Sequence, residues 1–417
     1  MSHFISDMET EPSYRRLQVL LWIACLIAIP LLAGLLYSMV GEVGQKNSYA
    51  LLADSFLNGR LDSTTCYDSD CAIFQGRTFV MFPPVPAIIA MPFVAIFGPG
   101  FHGFVAISIV AGIASLALWW RIFRTLGTDS TAAIWLLLAL AFATPLYYVT
   151  IRGGGVWFFA QAIAFLFVTI AIHEVVRGGS LVLAGACIGL AFLSRQMSIF
   201  YLPFLFVLAL RPDERLISFS RDHIHRALKL GLPVAAAVVI YLIYNYARFG
   251  APLETGYRYM MVPEQLGLIN HRLAQHGLFS REYLFFNVVY FFLQGFHVNF
   301  TGDTMLTPTG LDPAGTSLFA ASPFVLLAFF VPLRRTVLIG IACALVIAAP
   351  TFWYHSNGFS QYNVQRYVLD WLPILFFMLA LAVRRRETPA FGVLTVYAMG
   401  LNLATMGLLA ILQKGSS

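Results

Sequence analysis

Charge is scarce in this sequence. Only 11% of its 417 residues are Asp, Glu, Lys or Arg, 59% are hydrophobic, and mean hydropathy is +0.77. Soluble domains carry about 25% charged residues, so a water-soluble globular chain is excluded. Strict apolar–polar alternation is missing as well. Continuous apolar runs of about 16 to 24 residues stand in its place, which excludes a closed outer-membrane barrel and indicates an all-α polytopic membrane protein. Cysteine is sparse, with five in all. Cys25, Cys187 and Cys343 fall in apolar runs and read as packing residues. Cys66 and Cys71 flank Tyr67-Asp68-Ser69-Asp70 in a polar stretch. They close a short disulfide if that stretch faces an oxidising compartment, stay free thiols otherwise, and fit no zinc pattern. No cleaved leader is read, because Arg15 and Arg16 precede an apolar run, 17–40, too long for one. The net charge of +6 does not indicate nucleic acid. The basic residues lie between apolar runs, where topology and anionic lipid headgroups account for them.

Basic clusters order the spans. Arg15 and Arg16 place the N-terminus in the cytoplasm, and Arg121 and Arg124 must be cytoplasmic again. An odd number of spans therefore separates residue 40 from residue 121, although two apolar runs lie there, 83–97 and 104–120. The first is short and carries Pro83, Pro84, Pro86 and Pro92, so it is expected to lie at the outer interface. The same parity makes 283–300 interfacial or re-entrant. About eleven transmembrane helices result, in a plasma (inner) membrane, with the C-terminus extracytoplasmic. The chain is read as one transmembrane domain, 1–417. A first extracytoplasmic loop, 41–102, holds interfacial helices, and a second long outer segment covers 248–315.

The unusual polar residues collect outside. Asn47 to Leu57 has helical periodicity with Tyr49, Leu52 and Phe56 on one face, ended by Asn58-Gly59, as in an amphipathic helix on the membrane surface. Asp62 and Asp68 read as solvated loop residues, whereas Asp70, beside Cys71 and an apolar stretch, is a candidate general base. Arg152-Gly153-Gly154-Gly155 offers either a backbone anion contact or a simple tight turn. Arg195 interrupts two apolar runs, where an arginine costs roughly 2.5–3.5 kcal/mol at mid-membrane unless it snorkels or meets an anion. Gln361, Tyr362 and Arg366 precede a span and suit a headgroup or sugar site. Arg366 and Asp370 are one α-helical turn apart and are expected to pair.

These motifs together resemble the GT-C superfamily of integral-membrane glycosyltransferases, of the protein O-mannosyltransferase and aminoarabinose lipid A transferase type. The resemblance is carried by Tyr49…Ala53…Leu57-Asn58-Gly59-Arg60-Leu61, by Asp70…Phe74-Gln75-Gly76-Arg77, and by Phe82-Pro83-Pro84-Val85-Pro86. Leu193-Ser194-Arg195, Asn245…Arg248-Phe249-Gly250…Tyr257 and Arg366-Tyr367…Asp370 add to it. It implies a helical fold with a large first outer loop, a polyprenyl-phosphate-linked sugar donor and a catalytic acid in that loop. The acceptor is then a hydroxyl of a glycan, lipid or protein at the outer face, reached with inversion. One departure stands out. Where such proteins carry an Asp-Glu pair shortly before the tyrosine, this chain has Gln45-Lys46-Asn47. The base is then Asp70, with Glu42 and Asp54 as alternates. Arg195, Arg366, Arg77 and Arg152 are the candidates for the donor phosphate, and Tyr49, Tyr257, Gln361 and Tyr362 for the sugar or acceptor. The metal requirement stays open, with a divalent cation compatible. A transporter or flippase of lipid-linked glycans, or a non-catalytic assembly subunit, is the alternative. The former is disfavoured because polar residues gather at outer ends and not in mid-span.

Overall fold

Every expected span becomes helical. The computed structural model describes residues 12–42, 47–67, 71–211, 213–260, 268–356, 365–383 and 387–414. Its helices in chain order are α1 (Pro12–Val40), α2 (Ser48–Leu57), α3 (Val85–Phe97), α4 (Phe104–Thr125), α5 (Ser130–Phe142), α6 (Pro145–Ile151), α7 (Val156–Val176) and α8 (Leu181–Phe192). Then come α9 (Leu202–Leu208), α10 (Arg221–Phe249), α11 (Leu268–His276), α12 (Leu284–Val288), α13 (Leu318–Ala321), α14 (Arg335–Phe352), α15 (Leu372–Ala382) and α16 (Thr388–Lys414). The starts are set by short polar side chains. Asp129 Oδ1 accepts from the Thr131 and Ala132 amides, both at 3.0 Å, and Thr144, Ser180 and Ser220 cap α6, α8 and α10 in the same way. Among the described residues, six helices are long and apolar enough to cross a bilayer, and α5 with α6, bent by 46° at Thr144-Pro145, makes a seventh. The other four expected spans are shorter: α8, the 3₁₀ turn Gln196–Tyr201 with α9, α13 with the 3₁₀ turn Pro323–Phe330, and α15. The protein is thus an all-α, multi-pass membrane protein.

The short spans do not reach from one face of a bilayer to the other. Helix α8 has 12 residues and α15 has 11, so they rise about 16–18 Å against a hydrocarbon layer of about 30 Å. Irregular backbone at such depth persists only where it lines a cavity. That is the situation of Leu193-Ser194-Arg195 and of the 3₁₀ turn Arg366–Asp370.

Two expectations about the first loop resolve differently. Helix α3 stays on one side of the bundle. Its first amide, on Val85, donates to Leu193 O at 3.1 Å, and just past its far end the Phe104 and Val105 amides meet Glu42, at the end of α1. It does not cross. Helix α2 forms over the expected residues, with Asn47 accepting from the Tyr49 amide at 2.8 Å, but it is not a half-exposed surface helix. Tyr49, Ala50, Leu51, Leu52 and Ala53 are all buried, because α3 covers the face that amphipathy assigned to water or lipid headgroups. The apolar stretch 283–300 is no span either. It forms α12, a π turn Val289–Leu293, and then strand β3 (Val298–Thr301), which pairs with β4 (Thr307–Leu311).

The first loop also holds a small hairpin, β1 (Cys71–Phe74) with β2 (Arg77–Val80), in antiparallel register Cys71↔Val80. Its two turn residues, Gln75 and Gly76, have φ of 50° and 75°, the left-handed pair that matches strand twist. Arg248 donates to Val80 O at 2.8 Å and to Asn245 Oδ1 at 2.7 Å, which fastens the hairpin to α10. Cys66 and Cys71 form a disulfide. A cross-link separated by five positions removes little unfolded-state entropy, about 2 kcal/mol. Reduction is therefore expected to lower the thermal midpoint by a few degrees without unfolding the bundle, measured in nanodiscs with and without reductant. Of the remaining cysteines, Cys187 and Cys343 are buried as expected, while Cys25 is exposed on the flank of α1.

Candidate functional site

Segments that the sequence reading places outside converge on one cleft of about 730 Å³. Its walls come from α2 (Tyr49), the end of β2 (Met81 and Phe82), the α6–α7 turn (Arg152, Trp157), the α8–α9 connection (Ser194 to Met197), the chain after α10 (Tyr257), α11, the end of α14 (Tyr354, His355) and the 3₁₀ turn at Arg366–Asp370. Its charged lining residues are Arg152, Arg195, Arg366 and Asp370.

The structure sorts the sequence candidates by this cleft. Arg152, Arg195, Arg366, Tyr49 and Tyr257 line it. Arg77 does not. It pairs with Asp62 at 3.0 Å on the exposed hairpin, so Asp62 is an ion-pair partner there. Asp54 faces Arg60 at 3.9 Å and the Asn58 side chain, away from the cleft. Glu42 is 4% exposed, and its two oxygens accept from the Phe104 and Val105 amides at 3.1 and 2.9 Å. It caps α4. Burial pushes its pKa up, with those amides and the charge of His102 acting the other way. Asp68, Asp70, Gln361 and Tyr362 lie outside the described residues.

Arg195, expected to snorkel or to meet an anion, is held by an acid far along the chain. Its Nε donates to Asp370 Oδ1 at 2.9 Å and its Nη2 to Oδ2, a bidentate fork. Tyr201 OH donates to the Asp370 carbonyl at 2.9 Å, and the Tyr367 ring lies 5.6 Å from the guanidinium. The expected Arg366–Asp370 pair does not form. The segment is 3₁₀ rather than α-helical, and at about three residues per turn positions i and i+4 leave the shared face. Arg366 turns instead to ring faces: Phe158 at 5.1 Å, Tyr367 at 5.2 Å and Trp157 at 5.5 Å. Its backbone carbonyl accepts from Gln161 Nε2 at 3.0 Å. Arg152 stacks similarly over Phe158 and Tyr148 and donates to Tyr148 OH at 3.0 Å. It faces no carboxylate among the described residues. Of the two readings for the glycines after it, the tight turn fits: the Gly153 and Gly155 amides bond Thr150 O and Arg152 O. A Cβ on Gly153 would meet Ser108 Oγ at 2.3 Å.

One residue escaped the sequence reading. His355, in the turn after α14, is 7% exposed, lines the cleft, and has no hydrogen-bond partner at Nδ1. Its backbone amide bonds Leu278 O and its carbonyl accepts from Arg272 Nη1 at 3.3 Å. Burial pushes the imidazole down to about 4, opposed by Leu278 and helped by the Arg272 charge. An isolated histidine has no periodicity to betray it, so only the fold reveals its place. Because the folded value lies below the ordinary one, the unfolded chain binds the extra proton between about pH 6.5 and 4. Stability contributed by this group is full above that window and lost as pH falls through it. Thermal unfolding at pH 7.5 and 5 should show a larger drop for the native chain than for His355→Gln.

No three His, Cys, Asp or Glu side chains converge to hold a metal among the described residues. In the cleft, Asp370 is engaged by Arg195, and His355 alone is no ligand set.

A multi-pass helical membrane protein with an arginine-bearing, aromatic cleft at one end is the class that fold and site define. Residues 82–244 of the chain match the family model described as dolichyl-phosphate-mannose-protein mannosyltransferase, which bears out the GT-C resemblance read from the sequence. No curated protein matches the chain. Among solved structures, the fold is similar to ArnT from Cupriavidus metallidurans bound to undecaprenyl phosphate, at 17% identity and a TM-score of 0.48 over 93% of this chain. It is also similar to the Archaeoglobus fulgidus oligosaccharyltransferase, at 15% identity and a TM-score of 0.41 over 94% of this chain. The chain spans 63% of the first and 55% of the second.

Proposed function

We propose that this protein is an integral-membrane glycosyltransferase. It moves a sugar from a polyprenyl-phosphate donor to a hydroxyl of a lipid, glycan or protein acceptor at the outer face of a plasma membrane. The N-terminus is cytoplasmic, the C-terminus extracytoplasmic, and transfer inverts the anomeric centre. The observation that carries this reading is the charge of the cleft. Its described lining residues hold three arginines against one aspartate, an excess of two positive charges beside aromatic faces. A polyprenyl-phosphate sugar is a diester with one negative charge, and the polyprenyl phosphate that leaves carries up to two. A site with two positive charges favours the departing group over the bound donor, which is the condition for lowering the barrier. The arginines line a cleft bounded by the ends of apolar helices, where a lipid-borne phosphate is proposed to reach them. Tyr257 offers a ring face and hydroxyl to the sugar or acceptor, Tyr49 backs the wall from a fully buried position, and Gln361 and Tyr362 precede the same wall in sequence.

The experiment is direct transfer. Purified protein in nanodiscs, given a short-chain polyprenyl-phosphate sugar and a candidate acceptor, should release polyprenyl phosphate with a glycosylated product. Movement of the lipid-linked sugar across proteoliposomes with no release of phosphate would instead establish the transporter reading.

A further inference from the structure

The proton of the acceptor hydroxyl needs a destination, and Asp370 is the one described carboxylate that lines the cleft. Glu42 caps α4, Asp54 and Asp62 face Arg60 and Arg77 outside the cleft, and Asp370 is forked by Arg195. The cleft does hold one base with no ion-pair partner among the described residues, His355.

We propose that His355 is the catalytic base, a deepening that rests on the glycosyltransferase reading above. His355 lines the cleft, and its Nδ1 is buried with no hydrogen-bond partner among the described residues; for Nε2 to accept a proton, the neutral ring carries its own hydrogen on Nδ1. The acceptor oxygen forms its bond to the anomeric carbon as the bond from that carbon to the phosphate oxygen breaks. The hydroxyl proton passes to Nε2, and the electron pair of the broken bond leaves on polyprenyl phosphate. The imidazolium then returns its proton to water or to the departing phosphate. The ring is kept neutral beforehand by burial and by the Arg272 guanidinium, which bonds the carbonyl of the same residue. With a pKa near 4 its proton affinity is that of a carboxylate, the group that does this work in inverting sugar chemistry. The groups packed around it are Arg272 of α11, the Tyr354 ring at 4.3 Å and the Leu278 carbonyl.

The test compares the native chain with His355→Gln, His355→Asp, His355→Asn and Asp70→Asn in nanodiscs, measuring turnover and binding of a fluorescent short-chain polyprenyl phosphate. His355→Gln should lose about 10²–10⁴-fold in kcat while binding the phosphate as the native chain does, and added imidazole should restore part of the rate. Should the glutamine variant fail to fold, His355→Asp, which keeps a proton acceptor, should turn over at least about tenfold faster than His355→Asn. Turnover of His355→Gln within a few-fold of native overturns the proposal, as does loss of turnover in Asp70→Asn alone, which assigns the base to Asp70. An inactive native chain sinks the glycosyltransferase reading, and this assignment with it.

Discussion

Arg195→Ala is expected to cost about 3 kcal/mol or more of stability and to abolish activity. The Asp370 side chain is 8% exposed and its partner's 20%, and the pair lies where the short helices α8 and α15 end. Removing the cation strands a carboxylate in a low-dielectric floor, and breaking a buried pair from one side costs roughly 3–5 kcal/mol. The effect belongs to the stranded charge more than to the lost attraction. Arg195→Met combined with Asp370→Leu should therefore recover most of the stability, and no activity. Thermal unfolding of the two single variants and the double variant in nanodiscs measures this. If the double variant is no more stable than Arg195→Ala, the pair is not what holds the α8–α9 connection against the Arg366–Asp370 turn.

Arg366→Gln should lower kcat/KM for the donor by about 10²–10³-fold, the range found when one preorganised charge is removed from a developing anion. The loss should fall mainly on kcat if the arginine meets the departing phosphate more strongly than the bound diester. Arg366→Lys should restore little of it. The guanidinium is held flat among Phe158, Trp157 and Tyr367, and an ammonium cannot reproduce that stacking with a two-pronged contact. Arg152→Gln gives the cleaner control for folding, since that side chain is exposed at the cleft mouth. A loss there without a change in thermal midpoint separates phosphate binding from structure. Single-turnover measurement of sugar release distinguishes the two steps.

The sequence is most legible where a pattern repeats. All eleven expected spans appear as helical segments, and the parity of Arg15, Arg16, Arg121 and Arg124 correctly refused 83–97 a crossing. The sequence left the Cys66–Cys71 link open, and the fold decided it by bringing the two Cα atoms to 6.2 Å. Local spacing failed where backbone geometry departs from the regular helix. Arg366 and Asp370 looked like a pair only on α-helical geometry, and a 3₁₀ turn moved them apart. Amphipathy put α2 on a surface that α3 then covered.

The sequence by itself determined that this is a helical membrane protein, how its spans are ordered, and which arginines are too costly to lie in lipid without a partner. Those properties follow from composition and period, which each segment carries alone. Only the tertiary structure decided which side chains meet. Asp370 is 175 residues from Arg195, and His355 reaches the cleft from a turn with no distinguishing pattern. Such pairings depend on how short helices end against one another in the folded bundle, and no single segment encodes that.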